Sequence, residues 1–250
     1  MSSKPKADSH PRCDDKEPTA AIVTVGNELL SGIIENSNAT WMARELVDCG
    51  VGLRVILTLP DEVPVIAEAL GDLSADFTYV FVTGGVGPTP DDVTREAVAQ
   101  AVGAPLVEHA EMGERLRGIY GSAFKERVLV MARLPEGAEL LSGDDRIFPG
   151  FSLRNLFVFP GIPELMKANF ALIKHRFQGT PFHSKTLSTS LDESSYAHLL
   201  DKVITAFPKV LFGSYPHLRA GRFTATVMLR SRDASHLEEA WRWLQERWPE

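Results

Sequence analysis

The sequence predicts a three-layer α/β/α fold, a mostly parallel sheet covered by helices on both faces, followed by a small α+β subdomain. Three observations carry this. Strand-like and helix-like segments alternate three times in a row from Thr19 onward, the pattern of strand–helix units that build parallel sheets. The third strand, Phe77 to Val82, is apolar, as a central strand covered on both faces has to be. A composition break at Gln178-Gly179-Thr180-Pro181 separates this pattern from a shorter one behind it. The expected organisation is a disordered tail over residues 1–18, a ligand-binding domain over 19–177 and the subdomain over 183–250.

Each element has its own signal. Ala20 to Val25 is a short β-branched run ending at Gly26 and reads as a buried strand. Asn36 or Ser37 caps a helix to about Asp48, with Trp41, Met42, Leu46 and Val47 as its apolar stripe and Gly50 as its stop. Val51 to Leu59 forms the second strand. Pro60-Asp61-Glu62 opens a second helix, with Val65, Ile66, Ala69, Leu70 and Leu73 at helical spacing. A glycine-rich loop follows the third strand, and Asp91 or Asp92 caps a helix through about Val102. Glu108 to Met131 reads as helical with mixed polarity. Leu156 to Phe159 is a further buried strand, and Pro160-Gly161-Ile162-Pro163 turns it into a helix from Glu164 to about Phe177. Beyond the break come a strand (Lys185–Ser190), a helix (Glu193–Phe207), two strands (Val210–Tyr215 and Phe223–Leu229) and a last helix (Ala234–Trp248). This tail is expected to carry little core, with Trp241, Trp243 and Trp248 packing inside it.

Composition removes several function classes. The chain has 250 residues, 44% hydrophobic and 24% charged, with a formal net charge of -7. An acidic chain without a long basic run is a poor nucleic-acid binder, because that binding rests on phosphate neutralisation by Lys and Arg. No apolar run reaches the ~20 residues of a membrane span, and Met1 to Pro18 has no signal-peptide core. Cys13 and Cys49 form neither a disulfide framework nor a metal knot, and the expected location is the cytoplasm. The scattered histidines lack metal-ligand spacing. No Gly-x-Ser-x-Gly elbow is present, so acyl transfer through a covalent intermediate is not supported.

The chemistry concentrates in Thr83-Gly84-Gly85-Val86-Gly87-Pro88-Thr89-Pro90-Asp91-Asp92-Val93-Thr94. Glycines between a buried strand and a helix let backbone amides approach a ligand, and the helix N-terminus favours an anion at the same place. Gly84, Gly85, Gly87, Pro88 and Thr89 are therefore candidates for phosphate binding. On the glycines alone, a structural turn explains the loop as well. The adjacent Asp91 and Asp92 would repel a phosphate unless a cation lies between, which points to Mg²⁺ or a similar divalent cation with oxygen ligands. One of the two acids is expected to cap the helix. Glu28 and Asp61 follow the first two strands and should reach the same sheet edge. Asp91, Asp92 and Glu28 are the candidate metal ligands; Asn27 and Asn38 are candidates for neutral hydrogen bonds to the ligand.

These residues resemble a known family. The loop Thr83–Thr94 looks like the signature of the MoaB/Mog molybdopterin-binding domain. The fuller pattern is similar to the N-terminal domain of the CinA (competence/damage-inducible) proteins. It comprises Gly26 to Gly32, Asn36 with Asn38-Ala39, Ala43 to Leu46, Pro60 to Glu62, Asp91 to Thr94 and Phe159 to Met166. The tail, with Gly213-Ser214-Tyr215-Pro216, resembles the piece that follows this domain in CinA-like and FAD-synthase-associated relatives. The resemblance implies a domain that often trimerises, a homo-oligomer here (trimer or dimer). It implies a small phosphate-bearing ligand, molybdopterin or a nucleotide such as ADP-ribose or FAD, and metal-dependent pyrophosphate hydrolysis. Molybdopterin adenylyltransfer, or binding without catalysis, are the alternatives. By the same resemblance Asp61 and Asp92 serve the metal-assisted step as catalytic residues. Two departures count. Many CinA-like domains have Asp where this chain has Asn27. The chain also stops at Glu250, so the separate amidase domain is expected to be absent and nicotinamide mononucleotide deamidation is not expected.

Overall fold

The computed structural model describes residues 17–141, 147–219 and 222–249. The predicted tail up to residue 16, with Cys13, lies outside them. The described residues divide between Gly179 and Thr180 into two compact units.

The first unit runs β1 (Thr19–Val25), α1 (Asn27–Leu30), α2 (Ser37–Asp48), β2 (Gly52–Leu59), α3 (Val63–Asp76), β3 (Tyr79–Thr83) and α4 (Thr94–Val102). It continues with β4 (Leu106–Glu108), α5 (Ala110–Tyr120), β5 (Arg133–Pro135), β6 (Glu139–Leu140), β7 (Phe151–Leu153), β8 (Leu156–Phe159) and α6 (Pro163–Ile173). The main sheet has the order β2-β1-β3-β8-β7-β6. Its first four strands are parallel and the last two are antiparallel additions. The central position of the apolar third strand is as expected. Alternate residues of each strand feed two separate cores. Ala21, Val23, Val80, Val82 and Val158 pack with Ile66, Leu70, Val98 and Leu116 on one face. Ala20, Ile22, Phe81, Phe157 and Phe159 pack with Met42, Leu46, Phe170 and Phe177 on the other. Helices therefore cover both faces, giving three layers.

The second core is aromatic. Phe81 lies 5.6 Å from Phe157, stacked, and 4.9 Å from Phe177, edge-on, centroid to centroid. Such pairs add to the burial of the rings.

Several expected boundaries moved, for local reasons. The Glu108–Met131 stretch is not one helix. Gly121, at φ +48, stops α5 after Tyr120, and 3₁₀ turns over Gly121–Ala123 and Glu126–Ala132 follow. The helix expected to reach Phe177 stops at Ile173 and ends in a 3₁₀ turn, Lys174–Arg176. β4, β5, β6 and β7 were not expected. At two or three residues each they are too short to show a two-residue period.

The second unit is β9 (His183–Thr189), α7 (Glu193–Ala206), β10 (Leu211–Arg219), β11 (Arg222–Ser231) and α8 (Ala234–Gln245), an antiparallel sheet of order β10-β11-β9. The element order is the predicted one, but the expectation of little core is corrected. Tyr196, Leu199, Leu200, Val203, Val227, Leu229, Ala240, Trp241 and Leu244 are buried together, with Trp243 and Trp248 packed against them. Apolar residues at helical spacing on α7 and α8 supply most of it. No helix among the described residues is long and apolar enough to cross a membrane.

Candidate functional site

The parallel strands end level. Val25 pairs with Leu59, Thr24 with Thr83, and Thr83 with Phe159. The loops that leave them therefore meet at one sheet edge, where open α/β sheets bind ligands. A cavity of about 730 Å³ opens there, within the usual range for a small-molecule site.

Of the residues predicted from sequence, Glu28, Asn38, Asp61, Gly84, Gly85, Gly87, Pro88, Asp91 and Asp92 line this cavity. Asn27 and Thr89 do not. The Asn27 backbone N–H instead donates to Asp61 Oδ2 at 2.9 Å, so the first strand's loop positions the acid of the second. Thr89 is committed to Asp92: its N–H and hydroxyl donate to Asp92 Oδ2 at 2.8 Å and 2.5 Å.

That pair corrects the capping expectation. α4 starts at Thr94, its cap residue is Val93, and no side chain caps it. The Thr89–Asp92 turn, closed by Asp92 N–H to Thr89 O at 3.1 Å, claims the Asp92 carboxylate. Asp91 is exposed.

The glycines divide by role. Gly84 has φ +102, and a Cβ there would meet Val25 O at 2.3 Å, so only glycine fits between β1 and β3. Its N–H donates to Phe159 O at 3.3 Å, so the expectation that the Gly84 amide binds phosphate is corrected: the sheet has taken it. Gly85 has φ +63, and a Cβ there would meet Thr94 Oγ1 at 2.5 Å. The N–H groups of Gly85, Val86 and Gly87 find no acceptor among the described residues. Three neighbouring unpaired amides at a cavity rim form a concavity suited to an anion.

The frame around them is hydrogen-bonded. Asn36 accepts from Ala39 N–H at 3.2 Å as the cap of α2 and donates to Thr24 Oγ1 at 2.8 Å. Asn38 Nδ2 donates to Gly161 O at 2.7 Å and Thr83 Oγ1 at 3.2 Å, and the Thr83 hydroxyl donates to Pro160 O. Asn38 Oδ1 is buried without a partner among the described residues. Part of the cavity lining is apolar or aromatic: Ile34, Tyr120, Met131, Phe148 and Ile162.

Sequence reasoning assigned none of these residues to the site: Ile162 reads only as part of the turn after the last parallel strand, and Ile34, Tyr120, Met131 and Phe148 come from segments without a motif. It also missed Arg95, a guanidinium 2% exposed directly behind the loop. As to a metal, five carboxylate residues line the cavity, Glu28, Glu35, Asp61, Asp91 and Asp92, but no group of three or more His, Cys, Asp or Glu side chains among the described residues is placed to hold an ion. The donor set fits a hard cation held by one or two carboxylates, with the remaining oxygens from a ligand's phosphates and water.

Fold and cavity together define the class: a three-layer α/β domain whose site lies at the carboxyl ends of its central strands. The chain belongs to the family described as "Probable molybdopterin binding domain", the MoaB/Mog-like domain, which it matches over residues 21–178. Residues 181–250 match "FAD synthase, middle domain". A protein of Archaeoglobus fulgidus is 38% identical over 195 residues, covering 78% of this chain and 84% of that one. A protein of Aeropyrum pernix is 35% identical over 240 residues, covering 90% and 89%. The structure of the protein CinA, of unknown function, from Thermoplasma acidophilum is similar at a TM-score of 0.59 and 26% identity, covering 64% of this chain and 99% of that one.

Proposed function

We propose that the first unit binds a ligand carrying a phosphate or pyrophosphate attached to a flat ring system, and hydrolyses a nucleotide pyrophosphate of the ADP-ribose or FAD kind with a divalent cation. The observation that carries this reading is the rim itself: free amides at Gly85, Val86 and Gly87 beside Asp91, Asp92, Asp61 and Glu28. The amides hold phosphate oxygens. The carboxylates would repel the same anion, which makes sense of them only with a cation present; Asp92, with Asp61 or Glu28, would hold it. When bound, such a cation neutralises charge on the phosphoryl oxygens and lowers the pKa of a coordinated water. Asp61, fixed by the Asn27 N–H, orients one side of the site. The apolar part of the lining excludes water and takes the ring. Positioning and electrostatics suffice for phosphoryl chemistry, so no protein nucleophile is required. The match of residues 181–250 to a FAD synthase domain supports a nucleotide as ligand.

The test is turnover of ADP-ribose or FAD with Mg²⁺, Mn²⁺ or Co²⁺, followed by product analysis. Asp92→Ala should lower kcat by on the order of a hundredfold; unchanged turnover overturns the catalytic assignment. A second reading has its own support. Asp92 is already engaged by Thr89 and no three-carboxylate cluster is preformed among the described residues, which favours a binding domain for a pterin or nucleotide without turnover. Adenylyltransfer to molybdopterin shares the loop and would show as ATP-dependent adenylation of the pterin. Mass spectrometry of the ligand that co-purifies with the chain separates pterin from nucleotide.

A further inference from the structure

We infer that Arg95 is a positioning residue of the anion site: a buried positive charge that shapes the glycine loop from behind and ties it to the segment Glu126–Ala132. The inference rests on the reading that the loop amides bind phosphate.

The loop's carbonyls are drawn to the start of α4. Gly84 O accepts from the Thr94 hydroxyl at 2.8 Å and Gly85 O from Thr94 N–H at 2.9 Å. Gly87 O accepts from Arg95 Nη2 at 3.2 Å. With three carbonyls held by α4, the amides of Gly85, Val86 and Gly87 are left without internal partners. Arg95 closes the arrangement. Nη2 also reaches Asp92 O at 3.3 Å, and Nη1 donates to Val130 O at 2.5 Å. From the other side Arg127 Nε donates to Pro88 O at 3.4 Å. Loop and segment are thus cross-tied by two arginines, and Met131 of that segment lines the cavity.

Packing alone does not explain the choice of side chain. Among the described residues Arg95 makes no ion pair, and its Nε is buried without an acceptor. Burial pushes its pKa down, while the charges of Glu96 and Asp92 push it up and Arg133 pushes it down. A neutral side chain of similar length would fill the space without the cost of desolvating a charge. What the guanidinium supplies instead is a fork of donors onto carbonyls from two segments, and a positive charge behind the amides. An anion in the loop is stabilised by that charge in a weakly screened interior.

The probe is inorganic pyrophosphate, titrated calorimetrically into the full chain with Mg²⁺ present. Arg95→Met should bind it about tenfold more weakly than wild type, at a melting temperature close to wild type. Arg95→Lys, which keeps the charge but not the fork, should fall between them. Wild-type affinity in Arg95→Met, or equal losses in both variants, makes Arg95 a packing residue and overturns the inference. Absence of pyrophosphate binding by wild type instead sinks the functional reading beneath it. A measurement on wild type covers the case of variants that do not fold: pyrophosphate should slow amide hydrogen exchange over residues 126–132 as well as 84–92. Protection confined to 84–92 overturns the tie.

Discussion

Thr89 shows how one residue changes the reading of its neighbours. Its hydroxyl and N–H occupy Asp92, so the acid read as a helix cap is instead the clasp of a turn. Sequence spacing showed that both acids stand at the site; it could not show which neighbour claims them, because cap and turn differ by one residue in register. The glycines were legible as a group and not as individuals. Gly84→Ala should be the more damaging change at the structural level, since φ +102 and a contact of 2.3 Å with Val25 O leave no room. A loss of about 1–3 kcal/mol is expected, read by denaturant unfolding. Asn27 departs from the resembling pattern, yet its backbone amide still holds Asp61. Asn27→Ala should therefore retain ligand affinity, whereas Asp61→Ala should reduce metal-supported binding by about tenfold, both measured by titration.

At the scale of elements, the long helices and buried strands were readable because their apolar residues repeat with the right period. The short strands β4 to β7 were not, since two or three residues carry no period. Caps decide the ends of α7 and α8. Asp192 accepts from Ser194 N–H and Asp233 from His236 N–H. The carboxyl of Asp192 is held below its usual range, chiefly by the Ser194 hydroxyl, and that of Asp233 by the His236 backbone N–H. A depressed carboxylate stabilises the fold above its unfolded pKa, and the contribution is lost as pH falls through the lowered folded value. Both caps should therefore hold at neutral pH and be lost below about pH 4. Asp192→Asn should flatten that acid dependence for the second unit, followed by circular dichroism against pH.

At the scale of the whole molecule, each unit carries its own core. Residues 180–250 expressed alone should fold and melt cooperatively; a broad, non-cooperative melt would show that their core is insufficient. In the first unit, Phe81 stacks on Phe157 and Phe159 and meets Phe177 edge-on, and Phe81→Ala should cost about 3–5 kcal/mol, read by denaturant unfolding. The level strand ends have one more consequence. The cavity draws its lining from separate stretches between Thr24 and Leu165, so no fragment of the unit contains it. Whatever occupies it binds the folded unit and not the unfolded chain. A ligand at a hundred times its Kd thus adds about 2.7 kcal/mol to stability. Heating the protein with candidate pterins and nucleotides then becomes an assay for the occupant. The melting of the first unit would register the match, and that of the second would stand as the built-in reference.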